Sequence, residues 1–463
     1  MRRLLTIVLL FAAMPTVAET PEQRRARILA PTTDFTVAER FESLQGGSGT
    51  NRTRLDTNAF SQPSGALDFE ARADFFIGNG VFDRPWIAAP SSTTASDGLG
   101  PMFNARSCQG CHIKDGRGHP PGPDDETMVS MLFAVSDQDG APDAVLGAQF
   151  QDQAIVGHRS EGRVRVSYAS ETFTYPDGSE TILRRPSYET DAELAPGVSL
   201  NPRIAPPMIG LGLLEAIADA DLAARADPDD RDGDGVSGRL ARSDGAVGRF
   251  GWKAMEPTLR SQSATAFSND MGLSTWERAA DWGDCTAAQP ACRGAFHGGD
   301  AGGPEVADAL LDFVTFYAAH LAVPARRAVN DLQVLRGKQV FHEVECIACH
   351  VPKHATARDA PDGLGGQLIW PYTDLLLHDM GPDLADATPT GDRGAAEWRT
   401  PPLWGIGLTA TVSGHTFFLH DGRARSLEEA ILWHGGEGAA SRDAFVARPA
   451  VDRAALIRFL ESL

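Results

Sequence analysis

The chain has 463 residues, 42% of them hydrophobic, which is long enough for two or three domains with sizeable cores. Its formal net charge is -20. An acid balance of that size excludes nucleic acid and anionic membranes as natural partners and suits a basic redox partner. Residues 1–18 read as a secretory leader. Arg2 and Arg3 open it, Leu4 to Ala13 is apolar, and Thr16-Val17-Ala18 offers small residues for cleavage. The apolar run is short for a membrane anchor, and no later stretch is long and apolar enough to span a bilayer. The mature protein is therefore expected to be exported, soluble and periplasmic.

Residues 19–65 are polar and predict an irregular lead-in. Apolar residues at helical spacing from Phe69 to Phe82 predict a helix. It precedes Cys108-Gln109-Gly110-Cys111-His112, a C-x-x-C-H motif. This is the attachment sequence of a c-type haem, with two thiols for the vinyl groups and a histidine for the iron. Met128 to Val135 and Gly162 to Tyr168 predict strands, and Tyr175-Pro176-Asp177-Gly178-Ser179 predicts a hairpin turn before Thr181-Ile182-Leu183. These place a β-rich insertion at about 120–245 within a helical first domain, 66–325.

Asp230-Arg231-Asp232-Gly233-Asp234-Gly235 has the alternating carboxylates and glycine of a calcium loop, although position 241 is Ala where the bidentate Glu would fall. A solvated acidic turn is the other reading. Cys285 and Cys292 lie outside any C-x-x-C pattern and are expected to form a disulfide. An apolar helix over Val306 to Leu321 and Pro324 close the first domain.

The second domain, 326–463, repeats the plan. Leu332 to Phe341 predicts a helix, and Cys346-Ile347-Ala348-Cys349-His350 is a second C-x-x-C-H. Two such motifs outweigh paired disulfides or zinc clips, because a zinc site needs more Cys or His nearby than either motif offers. Arg399-Thr400-Pro401-Pro402-Leu403-Trp404-Gly405 echoes Arg203 to Gly210, so two homologous haem domains are expected. His378, Met380, His415, His420 and His434 follow the second motif. Ser426 N-caps a helix that ends at His434, with Glu429 placed for a capping box. His354 and His415 read as structural. A helix over Ala454 to Leu463 closes the chain.

The paired C-x-x-C-H motifs, the Arg-Thr-Pro-Pro-Leu stretch and Phe418-Leu419-His420-Asp421-Gly422-Arg423 resemble the bacterial di-haem cytochrome c peroxidase superfamily, and more closely its di-haem oxidoreductase branch. The resemblance runs from about residue 65 to the end. It implies a mainly α fold of two cytochrome c-like domains with two covalently bound c-type haems. One haem would be a six-coordinate electron acceptor and the other the site where peroxide reacts, with calcium and a tryptophan between them. By position, His434 matches the distal ligand of the second haem, with His378 and Met380 as rivals. Trp252, in Phe250-Gly251-Trp252, matches the bridging tryptophan. Asp270 matches the segment that carries the peroxidatic acid/base, where Glu is usual. Core packing for Trp252 and a helix or turn cap for Asp270 are the plainer readings. An electron-donor protein, a small cytochrome or cupredoxin, and a small oxidant such as peroxide are the implied partners. The alternative is a di-haem electron carrier with no substrate chemistry.

Overall fold

The computed structural model describes residues 19–463 apart from 123, 124, 126, 129, 300–302 and 362, so the expected leader lies outside the described residues. The helices that frame the site are α1 (Phe69–Asp83), α2 (Cys108–Cys111), α3 (Leu259–Met271), α4 (Asp308–His320), α5 (Leu332–Glu343), α6 (Leu427–Leu432) and α7 (Ala450–Ser462). Side-chain caps start five of them, and α4 and α7 begin without one. The Asp68 carboxylate accepts from Ala71 N at 2.9 Å, and Asp331 accepts from Gln333 N and Val334 N.

The two halves are built on one plan. α1 packs on α4, and α5 packs on α7. Each crossing is tight because a glycine faces a carbonyl. A Cβ on Gly78 would collide with the Phe313 carbonyl, and one on Gly337 with that of Ala455. One turn further on, Phe82 lies 5.2 Å from the Tyr317 ring and 6.3 Å from the His112 ring. Phe341 repeats this with Phe459 and His350 at 5.2 and 6.3 Å. The repeated segments after each motif also correspond. Gly210 and Gly405 both take φ near +70°, and Gly212 and Gly407 approach the carbonyls of Ala319 and Glu461 near the ends of α4 and α7. Their apolar residues Ile209, Leu213, Trp404 and Leu408 share one buried cluster between the two halves.

The fold is not mainly α. Helix accounts for 29% of the chain and strand for 16%. The composition explains the shortfall: 47 glycines and 30 prolines interrupt the helical pattern. The strands form small two-stranded antiparallel sheets. β1 (Met131–Ser136) pairs with β4 (Ser199–Ile204), and β2 (Val164–Thr174) with β3 (Glu180–Thr190). The turn between β2 and β3 closes where expected, with Tyr175 N on Ser179 O and Gly178 at φ +83°.

This long hairpin leaves the half that precedes it and lies on the other. Tyr175 and Leu183 belong to the same core as Phe341 and Phe459. Tyr175 Oη donates to Glu428 at 2.8 Å, and Arg453 Nη2 donates to Asp177 at 2.8 Å. The lead-in makes a second tie. Thr20 caps a helix over Pro21–Leu29 in a capping box with Gln23, a start signal that the polar composition masked. Beyond it, Glu39 and Glu42 bind Lys338 at 2.9 Å each, Glu39 binds Lys353 at 2.6 Å, and Glu42 also pairs with Arg326. Lys338, Glu42 and Arg326 are buried, so loss of one partner would cost about 3–5 kcal/mol.

Candidate functional site: two cavities and a shared wall

Both C-x-x-C-H segments fold as short helical turns, and in each the two cysteines and the histidine line one cavity. Ser107 caps α2 by accepting from Gly110 N at 3.2 Å. Glu345, at φ +59°, turns the chain into a single 3₁₀ turn over Cys346–Ala348. The four motif cysteines stand outside the disulfide. Burial pushes the Cys108 and Cys346 thiols up to about 12. They are therefore neutral thiols, unlike the activated thiolates of a redox dithiol. Burial pulls His112 and His350 down to about 4. Each neutral ring directs Nδ1 to a backbone carbonyl, Pro206 O at 2.8 Å and Tyr372 O at 2.9 Å. This leaves Nε2 as the lone-pair nitrogen, the state a metal-binding imidazole needs.

The His112 segment opens on a largely apolar cavity of about 330 Å³, which Trp252, Arg117, Gln149 and Asp270 also line. Asp270 lies near the end of α3, where its backbone carbonyl accepts from Asn104 N and Ala105 N at 2.8 and 3.1 Å. Burial raises its carboxyl to about 6, against the pull of the Gln149 hydrogen bond. Gln149 Nε2 donates to Asp270 Oδ1 at 2.8 Å and to Asn104 Oδ1 at 2.7 Å. Its own backbone N and that of Ala148 donate to Asp284 at 2.8 and 2.7 Å. Asp284 neighbours the Cys285–Cys292 disulfide, which forms as the sequence predicts. Gln149 had no signal in the sequence, since it sits in a loop with no motif around it.

The His350 segment opens on a second cavity of about 170 Å³. His434 lies two residues beyond α6 and lines it. Ser426 caps α6 as expected, by accepting from Glu429 N at 3.0 Å. The Glu429 carboxylate does not close a capping box. It turns to Arg184 N and Arg425 N, at 2.6 and 2.8 Å. The ring of His434 directs Nδ1 to Ala430 O at 2.8 Å, which leaves Nε2 available. Burial lowers its affinity for a proton. His378 differs. Burial alone would lower it too, but Asp374 at 2.8 Å and Glu437 at 2.6 Å outweigh that and hold it well above the ordinary range. Both of its nitrogens then donate, and an imidazolium offers no lone pair to a metal. Met380 and His420 also line this cavity. His354 and His415 are tied to the carbonyls of Thr373 and Arg117, as structural residues are.

A single wall separates the cavities. Arg117, Trp252, Arg399 and Pro401 line both. Trp252 is 8% exposed and donates from Nε1 to Ile204 O at 2.8 Å. Its ring meets His420 edge-on at 6.4 Å, and His420 stacks on Trp398 at 3.7 Å. Trp252 thus packs in the core and also bridges the cavities. The donor sets fit two haems: paired thiols, a histidine with free Nε2, apolar walls and buried guanidiniums.

The carboxylate oxygens of Asp230, Asp232 and Asp234 lie within 4.8 Å of one another at the surface. Gly233 and Gly235 take positive φ, so the loop curls as its spacing predicts. Ser237 follows it and donates through N and Oγ to Glu437, at 3.0 and 2.7 Å. The same Glu437 holds His378, so the loop is tied to the wall of the second cavity.

A family model described as "Di-haem oxidoreductase, putative peroxidase" matches residues 43–135 and 143–463. Among solved structures, the chain is similar to hydrazine synthase from Kuenenia stuttgartiensis, pressurised with xenon. That match has 12% identity and a TM-score of 0.30, and covers 90% of this chain and 97% of that one. A search of curated proteins finds no match.

Proposed function

This chain belongs to the di-haem oxidoreductase family, and from that premise we propose a periplasmic enzyme with peroxidase-like electron transfer between two covalently bound c-type haems. The single observation that carries the reading is the pair of cavities, each opening on a C-x-x-C-H segment, with Trp252 in the wall of both. When bound, the haems supply the irons that exchange electrons and bind the oxidant. Cys108, Cys111, Cys346 and Cys349 would tether them, and His112 and His350 would hold their irons. Export is supported by the leader-like start and the disulfide. Among the described residues no helix is long and apolar enough to cross a membrane.

Peroxide needs two electrons and two protons to become two waters. A donor protein, a small cytochrome or cupredoxin, would supply the electrons from the side of the second cavity, and Trp252, in the wall of both cavities, would lie on their way to the first. Asp270 takes a proton from the near oxygen of peroxide and returns it to the far one. A carboxyl near 6 suits this role, since it is mostly ionised at neutral pH yet readily protonated. Gln149 holds the carboxylate in place. An electron carrier without substrate chemistry is the competing reading, and it requires both irons to be six-coordinate.

An absorption spectrum of the exported protein tests the reading. A high-spin ferric signal in the resting or half-reduced state is expected, together with a mass increase of two haems. A purely low-spin spectrum in every redox state supports the carrier instead.

We propose that His434, which lines the second cavity with Nδ1 on Ala430 O, would be a second histidine to hold the iron there. His434→Ala should turn one haem high-spin and open it to added ligands, while His378→Ala should leave the ligation unchanged. A wild-type spectrum in His434→Ala would pass the role to Met380.

The base form of Asp270 is the active one. Peroxide turnover should rise with pH through about 6 and level off above it. Asp270→Asn should remove that limb and lower turnover about 10²–10⁴-fold. A retained limb would rule this carboxylate out.

We also propose calcium at Asp230, Asp232 and Asp234. Alternate carboxylates suit a hard cation, and Ser237 and Glu437 link the loop to the second cavity. Chelation should lower the thermal midpoint and perturb the spectrum of the second haem. Elemental analysis with no bound metal would refute the site.

A further inference from the structure

Eight arginines are buried among the described residues: 117, 203, 249, 326, 393, 399, 423 and 453. Six of them pair with a carboxylate: Arg203 with Asp386, Arg249 with Asp219, Arg326 with Glu42, Arg393 with Asp392, Arg423 with Asp421 and Arg453 with Asp177. Arg117 and Arg399 do not. They are 7% and 6% exposed, and they are the two that line both cavities.

The contacts these two make leave charge unanswered. Arg117 donates from Nη1 to Leu419 O at 3.4 Å, and its buried Nε has no partner. Arg399 donates from Nε to Gly251 O at 3.0 Å and from Nη1 to Thr400 O at 3.1 Å. Asp374 acts on Arg399 only at a distance, since its Oδ2 is committed to His378. Burial pulls both guanidiniums down to about 10, the direction expected when no anion compensates. A buried guanidinium without a counter-ion is costly, and a fork of N–H donors fits a carboxylate.

We infer that Arg117 and Arg399 form a shared anchor for haem propionates, at the place where the two cavities meet. This rests on the di-haem reading above, because the propionates are the carboxylates that such cofactors bring into these cavities. The anchor also touches the bridge. The Arg117 guanidinium lies 5.7 Å over the Trp252 ring, and Arg399 N donates to Trp252 O at 3.0 Å. Propionates held here would lie beside Trp252, because both arginines contact it. The positive charges also favour the reduced irons and so raise their potentials.

The test uses the exported protein with both haems attached. Arg117→Gln and Arg399→Gln, singly and together, should shift at least one midpoint potential downward in a spectroelectrochemical titration. They should also move the propionate bending bands in resonance Raman spectra. Folded variants with two haems, unchanged potentials and unmoved bands would overturn the anchor. If neither variant folds, wild-type protein with ¹³C-labelled propionates decides. Infrared carboxylate bands typical of an ion pair are expected, and bands typical of hydrated carboxylate would overturn it. Inorganic phosphate that perturbs the wild-type haem spectrum at millimolar concentration would assign the pair to a soluble anion instead. A chain without haem removes the reading itself, an outcome that mass spectrometry separates from all of these.

Discussion

Everything in the site depends on two helix crossings close enough for backbone to touch backbone. Gly78 and Gly337 permit them, because the space a Cβ would take is filled by the carbonyls of Phe313 and Ala455. The crossings bring Phe82 to 5.2 Å from Tyr317 and Phe341 to 5.2 Å from Phe459, and the same two rings lie 6.3 Å from His112 and His350. Packing of this kind tolerates little change in volume. The position of each histidine is thus a consequence of helix packing, with the motif supplying only the side chain.

The symmetry stops at the wall. His112 is steadied by the Pro206 carbonyl, which belongs to the repeated segment, whereas His350 uses Tyr372, which does not. The first cavity has Asp270 and Gln149 and, among the described residues that line it, no histidine besides His112. The second has His434 and the charged His378 cluster. One architecture, duplicated, therefore carries two chemically different sites. Trp252 and the two arginines that pair with no carboxylate among the described residues lie where they meet.

The β2–β3 hairpin and the lead-in hold the halves in that relation. Each leaves its own stretch of chain to bury charged and aromatic groups against the second half. Glu42 with Arg326 and Lys338 is the most buried of these ties. Such pairs are sensitive to the loss of one member, and they fix orientation because their geometry is directional.

Much of this was legible beforehand. Local chemistry determined the C-x-x-C-H segments, the helices before and after them, the hairpin at Gly178, the Ser426 cap, the disulfide and the curl of the Asp230 loop. Each of these depends on residues close together in the chain. The mainly α expectation, which comes from the family resemblance, fails because the long glycine- and proline-rich connections between the helices fold as irregular backbone and short strands. The capping box at Glu429 failed because tertiary partners, Arg184 and Arg425, competed for the same carboxylate. Only the tertiary structure placed Gln149 on Asp270, set Trp252 between two cavities, charged His378 through Asp374 and Glu437, and left Arg117 and Arg399 without acids. Those outcomes depend on burial or on partners that the fold brings together, Gln149 with Asp270 across 121 positions and His378 with Glu437 across 59, and neither is written in the spacing of nearby side chains.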